Sequence, residues 1–177
     1  MMESAAAMKK PLLALALLTT TAHADDLPRV SVTVSPVHLI LPVGELTAEL
    51  RVHDRIGIAA IAGAGAVRVD GIEDRITVYE GGLSARYYVT GSFRTGLQLG
   101  AEAIYLHANT TGDTMAVKAE GLGLAPFTGY KWTARSGLTL EGQLGVTYVA
   151  VRAKSDTASD DDSRVGPMLN LNIGYGF

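Results

Sequence analysis

The stretch Leu138-Thr-Leu-Glu-Gly-Gln-Leu-Gly-Val-Thr-Tyr-Val-Ala-Val-Arg152 decides the fold, because it alternates between apolar and polar residues. Leu138, Leu140 and Leu144 share one parity, whereas Glu141 and Gln143 share the other. Successive side chains of a β-strand point to opposite faces, so the pattern predicts a strand with one apolar and one polar face. Strands of globular proteins average about 5–6 residues, whereas a tilted strand that crosses a bilayer needs about 9–11. The length of the stretch therefore favours a membrane-spanning strand.

The same alternation recurs in Glu45–Val52, Tyr79–Val89 and Leu97–Tyr105. Within each segment the charged residues share one parity, and a slip of one residue would move all of them to the other face. Two environments produce this pattern. One is a sandwich with an apolar interior, and the other is a membrane barrel with its apolar face outside. A soluble periplasmic β-barrel that binds an apolar ligand is the main rival to membrane insertion.

The connections between the predicted strands alternate between short and long, as they do in outer-membrane barrels. Arg68–Ile76, Asn109–Met115 and Ala153–Arg164 are the long polar ones and are predicted to be extracellular loops. The predicted strands are Val30–Ile40, Glu45–Val52, Ile56–Val67, Thr77–Thr90, Gly96–Ala108, Ala116–Tyr130, Leu138–Arg152 and Val165–Phe177. Pro36 is awkward in the first of them because it lacks a backbone donor. The predicted fold of residues 25–177 is an all-β, eight-stranded antiparallel up-and-down transmembrane β-barrel.

Residues 1–24 are predicted to be a signal peptide. Lys9 and Lys10 precede the short apolar run Leu12–Leu18, and Ala22-His23-Ala24 is a small-residue cleavage pattern. The apolar run is shorter than the roughly 20 residues of a membrane-spanning helix. The sequence has no Cys, which excludes disulfides and a lipoprotein anchor. An exported protein of the outer membrane of a Gram-negative bacterium fits these features.

The closing segment Pro167-Met-Leu-Asn-Leu-Asn-Ile-Gly-Tyr-Gly-Phe177 resembles the C-terminal signal of outer-membrane proteins. Glu45–Val52, followed by a turn and Ile56-Gly-Ile58, is similar to the early hairpin of the small outer-membrane β-barrels of the OmpA-barrel and OmpX class. Pro126–Trp132 is similar to a later strand of that class and its periplasmic turn. The resemblance covers nearly all of residues 25–177. Its motifs imply the barrel architecture and do not specify an activity. It also implies recognition of the last strand by the barrel-assembly machinery.

The charged residues of the polar faces are predicted to point into the barrel, because an Arg or Lys in lipid would cost about 2–4 kcal/mol at the bilayer midplane. Eight strands leave an interior just wide enough for side chains to fill it, which favours a closed polar network over an ion path. The predicted members are Glu45, Glu49, Arg51, Glu80, Arg86, Glu102, Lys118, Glu120 and Glu141.

Aromatic residues cluster near the predicted strand ends, where two bands at the lipid–water boundaries are expected. The predicted interface residues are Tyr79, Tyr87, Tyr105, Tyr130, Trp132, Tyr148, Tyr175 and Phe177. Phe93 is expected in the band at the periplasmic side.

The role that the sequence favours is that of a structural or surface-interaction protein, with outer-membrane lipid and lipopolysaccharide as partners. A narrow channel for ions or small solutes is the first alternative. A lipid A-modifying enzyme, with His107, Asn109 and Asp113 at its rim, is the second. The formal charge of −3 argues against a nucleic-acid partner. No catalytic residue or cofactor is predicted. No metal site is predicted either, because Asp156 and Asp160–Asp162 lack the ordered spacing of a Ca²⁺ loop.

Overall fold

The computed structural model describes residues 27–38, 43–68, 75–111, 118–154 and 159–177. Eight strands occupy this part of the chain. They are β1 (Val30–Val34), β2 (Val43–His53), β3 (Ile56–Arg68), β4 (Arg75–Tyr88), β5 (Thr95–Thr111), β6 (Lys118–Thr133), β7 (Leu138–Lys154) and β8 (Ser159–Gly176). The predicted signal peptide, residues 1–24, lies outside the described residues and stays a prediction.

Each strand pairs antiparallel with its neighbour in sequence, and β1 pairs with β8 to close the sheet into a barrel. Val34 makes the closure clear, since it pairs with Leu46 on β2 and with Ile173 on β8. This confirms the predicted all-β, eight-stranded antiparallel up-and-down barrel. None of the described residues forms a helix long and apolar enough to cross a membrane.

The strand bounds differ most from the predicted ones at two places, and by one to three residues at most of the others. β1 ends at Val34, well short of the predicted end at Ile40, so the described residues from Ser35 to His38, including Pro36, follow the strand. The predicted loop Ala153–Arg164 is largely strand, because β7 continues to Lys154 and β8 already begins at Ser159. The pairing of Arg152 with Asp161 carries this hairpin past the predicted loop boundary.

The barrel has an apolar outer surface and a polar interior. Large apolar side chains are exposed on all eight strands, from Val34 on β1 (46% exposed) to Leu171 on β8 (47%). The residues between them point inward and are mostly polar, such as Glu49 and Gln98, which are at most 1% exposed. The distribution is the reverse of a water-soluble barrel, in which the apolar side chains fill the interior.

One end of the barrel, the turn end, carries the short connections 54–55, 89–94 and 134–137. The start of β1 and the end of β8 lie at the same end. The opposite end, the loop end, is where β1, β3, β5 and β7 end and β2, β4, β6 and β8 begin. At the turn end Phe93 is fully buried, and its backbone N–H donates a hydrogen bond to the carbonyl of Asp54 (3.3 Å). Gly91 adopts a φ of 70°, which Gly tolerates without strain and which turns the chain back over the opening. Phe93 therefore closes the turn end from inside.

We expect Phe93→Ala to lower the free energy of unfolding by about 3 kcal/mol, because it removes a fully buried ring and leaves a cavity. The measurement is urea unfolding of the refolded protein in detergent, followed by tryptophan fluorescence. Tyr130→Ala, which removes an exposed ring from the outer face, serves as the control. Equal unfolding midpoints for the two variants would contradict the assigned role of Phe93.

Candidate functional site

Four buried charges form an ion network across the barrel: Glu49, Arg86, Lys131 and Glu141. Nη1 of Arg86 lies 3.1 Å from Oε2 of Glu49 and 2.8 Å from Oε1 of Glu141. Nζ of Lys131 lies 2.7 Å from Oε2 of Glu49. All four side chains are at most 2% exposed. Two cations and two carboxylates leave the network formally neutral, which a low-dielectric interior requires.

Neutral side chains complete the hydrogen bonding of the ion network. Oη of Tyr88 donates to Oε1 of Glu49 at 2.8 Å, and Nε2 of Gln98 donates to Oε1 of Glu141 at 2.6 Å. Lys131 also donates to Oγ of Ser31 at 2.9 Å, and its Nζ lies 3.7 Å from the ring centroid of Phe93. This cation–π contact joins the network to the ring that closes the turn end. The lumen is filled by side chains at this level.

A second group of titratable residues lies nearer the loop end. This vestibule cluster consists of His38, Glu45, Glu80 and Glu102. Nδ1 of His38 is 2.7 Å from Oε2 of Glu45, but the contact does not have hydrogen-bond geometry. Close contact with the Glu45 carboxylate raises the pKa of His38, which lies beyond the end of β1, and partial burial opposes this. One donor atom each from His38, Glu45 and Glu80 all lie within 4.8 Å of one another.

The sheet register brings the carboxylates of the vestibule cluster together. Glu45 on β2 pairs with Gly63 on β3, and Gly63 pairs with Glu80 on β4. A Cβ atom on Gly63 would collide with the Glu80 carboxylate, so the absence of a side chain there provides room for it. Gly57 has the same relation to the Glu49 carboxylate of the ion network.

The vestibule cluster lines a cavity of about 390 Å³, here called the vestibule. The other walls are mainly apolar and come mostly from β5, β6, β7 and β8. They include Ile104, Leu106, Val149 and Met168. None of the four members of the ion network lines the vestibule. The interior of the barrel is therefore divided into a filled part at the turn end and a cavity towards the loop end.

The structure places the predicted interior residues in three groups. Glu45, Glu49, Arg86, Glu102 and Glu141 are buried inside the barrel. Arg51 and Glu80 are half-buried on the same face. The third group, Lys118 and Glu120, lies elsewhere.

The predicted placement of Lys118 and Glu120 is wrong, because both lie exposed on the outer face near the loop end. They share their parity with Leu122, which is also outward. Lys131, a central member of the ion network, was missed because the predicted strand ended at Tyr130. The alternation continues through Tyr130-Lys131-Trp132 and would have placed Lys131 inside.

Seven of the predicted interface aromatics are outward and 42–52% exposed: Tyr79, Tyr87, Tyr105, Tyr130, Trp132, Tyr148 and Tyr175. Phe177 is half-buried, and its ring centroid lies 5.0 Å from that of Tyr175. Phe93, expected among them, is instead inside the barrel, since the turn that carries it folds over the opening.

The charged residues at the loop-end rim pair with one another. Arg152 contacts Asp161 at 2.9 Å, and Arg164 contacts Asp162 at 2.8 Å. His107 lies 3.9 Å from Glu120, whereas Asp113 and Asp156 fall outside the described residues. The rim acids Asp161 and Asp162 are thus partnered by arginines.

No protein-family model and no curated protein matches the chain. Among solved structures, a major outer membrane protein from Thermus thermophilus is similar, with 14% identity and a TM-score of 0.46. The match covers 84% of this chain and 99% of that one. The superposition is too loose to transfer a function or a location to this protein.

Glu141→Gln is expected to lower the free energy of unfolding by about 3–5 kcal/mol, because it leaves two buried cations, Arg86 and Lys131, with Glu49 as their one carboxylate in the network. Urea titration in detergent measures the effect. Glu120→Gln removes the same charge from an exposed side chain and is expected to change stability by about 0.5 kcal/mol or less. The double variant Arg86→Met/Glu141→Leu should cost less than the sum of its single substitutions. Additive costs would show that the two residues do not act as a pair.

Proposed function

We propose that this protein is an outer-membrane β-barrel with a closed lumen, which acts in the membrane as a structural or surface-interaction protein. The observation that carries the proposal is the combination of an apolar outer surface on every strand with the neutral ion network inside. In lipid, each backbone polar group needs an internal partner, and a closed antiparallel barrel supplies one. A water-soluble barrel with an apolar ligand inside would need the opposite arrangement of faces.

The spacing of the tyrosines supports insertion into a bilayer. Tyr105 and Tyr148 each lie ten residues from the turn-end start of their strands, Thr95 and Leu138. Ten residues of a strand tilted by about 40° span roughly 25 Å along the barrel axis. That distance equals the height of about 25 Å expected for the apolar band of an outer-membrane barrel. Tyr105 and Tyr148 thus mark one boundary, with Tyr130 and Trp132 near the other.

The loop-end parts of β5 to β8 extend beyond this band and carry charges on their outer surface. Lys118, Glu120 and Arg152 are exposed there, and Arg164, which pairs with the inward-facing Val149, is exposed above the opening. We propose that this rim faces the lipopolysaccharide and the medium, and that Arg152 and Arg164 contact lipopolysaccharide phosphates in exchange for their present partners. The outward Leu169, Leu171, Ile173 and Tyr175 support the proposal that the assembly machinery reads β8.

A channel is the alternative that the interior bears on most directly. The vestibule is acidic and would attract cations, but it ends above Arg86, where the ion network and Phe93 fill the lumen. We therefore favour a closed barrel over a narrow pore. A lipid-modifying activity is less well supported, since the side chain that pairs with His107 among the described residues is the exposed Glu120, at 3.9 Å.

Leu144→Arg should impair insertion, because Leu144 is 61% exposed to the outside of the barrel. It lies on β7, midway between the aromatic residues near the loop end and those near the turn end. An Arg at the bilayer midplane costs about 2–4 kcal/mol. Folding into lipid vesicles, followed by the mobility difference between unheated and boiled samples in detergent gels, measures the effect. Ser163→Arg, on the exposed rim, is the control and should insert normally. Identical mobilities of the wild type with and without boiling, together with recovery in the soluble fraction, would refute membrane insertion.

The closed-lumen proposal predicts no steady conductance for the wild type in planar bilayers. Gel mobility of the same reconstituted sample establishes that the barrel is folded. Glu141→Ala, which opens the ion network, should produce intermittent conductance at most. Stable conductance of the wild type that is lost on replacing Glu102 would favour the channel instead.

A further inference from the structure

We propose that the vestibule cluster of His38, Glu45, Glu80 and Glu102 binds a first-row divalent cation such as Mn²⁺ or Zn²⁺. One imidazole nitrogen and carboxylate oxygens are donors that such ions accept. Donors bound to one ion at about 2.1 Å stand about 3–3.5 Å apart. The donor atoms of His38, Glu45 and Glu80 already lie within 4.8 Å of one another, and small side-chain rotations close the difference.

The cluster leaves buried polar atoms without partners. Oε1 of Glu80 and Oε2 of Glu102 are buried and make no hydrogen bond within the described residues. Glu102 is only 6% exposed and lines the same vestibule as the other members. An unpartnered buried carboxylate oxygen is costly, and native structures satisfy such groups with protein, water or an ion. A cation between the carboxylates would satisfy them together.

The charges of the vestibule are not balanced as those of the ion network are, since His38 alone can offset its three carboxylates among the described lining residues. Three carboxylates line it, and no Lys or Arg is among the described lining residues. The buried Arg86 contacts Glu49 and Glu141, and Lys131 contacts Glu49, so neither is paired with the vestibule cluster. The apolar walls at Ile104 and Met168 make the repulsion between the carboxylates stronger. A divalent cation would reduce this repulsion.

The kind of ion follows from the donors. Ca²⁺ takes six to eight ligands that are all oxygen atoms, and an imidazole nitrogen is not among them. His38 therefore favours an ion that accepts nitrogen. The rim acids differ in that Asp161 and Asp162 already contact Arg152 and Arg164.

The test is a titration of the refolded protein in detergent with Mn²⁺, followed by the loss of the free-ion electron paramagnetic resonance signal. Calorimetry with Zn²⁺ provides a second measurement. We expect one ion per chain. Glu80→Gln, Glu102→Gln and His38→Ala should each weaken binding about tenfold or more, since even the loss of outer-shell partners has about that effect.

Matched controls separate coordination from general electrostatics. Glu120→Gln and His53→Ala remove the same groups from exposed positions and should leave the affinity unchanged. Gly63→Ala changes no charge but displaces the Glu80 carboxylate, so it should weaken binding as Glu80→Gln does. Gel mobility verifies that each variant is folded. Absence of a bound ion, or equal losses in the vestibule variants and the controls, would overturn the proposal.

Discussion

The closing register of the sheet is the constraint on which the rest of the structure depends. Val34 joins β2 and β8, and the hydrogen-bonded path that leaves Ile173 through Val34 returns to β8 at Ser163, ten residues away. This stagger and the number of strands together set the tilt and the width of the barrel. The resulting interior is narrow enough that every inward side chain must contact others, and a buried charge there needs a partner.

The two parts of the interior meet that requirement differently. Around Arg86 the cations and carboxylates balance, and the neutral donors Tyr88 and Gln98 take up the remaining lone pairs. Around Glu80 the described lining residues supply three carboxylates, with His38 as the one group that can carry a positive charge. The first arrangement, with balanced charges, is the one that makes a filled lumen stable. The second arrangement lowers the stability of the barrel unless a cation binds. The proposed cation binding by the vestibule cluster rests on this imbalance of charge.

Parity in the sequence predicted the architecture and part of the interior. The alternation of Leu138–Arg152 placed Glu141 inside, and the parity of β2 did the same for Glu49. Lys118 and Glu120 were predicted to point inward because they are charged, although their parity indicates the outer face. The prediction was wrong because an outward charge carries no cost beyond the lipid band. The pairing of Glu45 with Gly63, and of Gly63 with Glu80, could not be predicted, since it depends on a register between strands that no local pattern encodes.

The shortness of β1 gives the barrel a sloping rim. β1 has five residues and β8 has eighteen, so β8 extends well beyond β1, and among the described residues their pairing ends at Val34 and Ile173. Ser35 provides a partial substitute by donating from its hydroxyl to the carbonyl of Leu171 at 3.3 Å. The low side of the wall is also where His38 stands. A change in the chain that follows β1 would therefore alter this wall and the vestibule together, since Val37 and His38 both line that cavity.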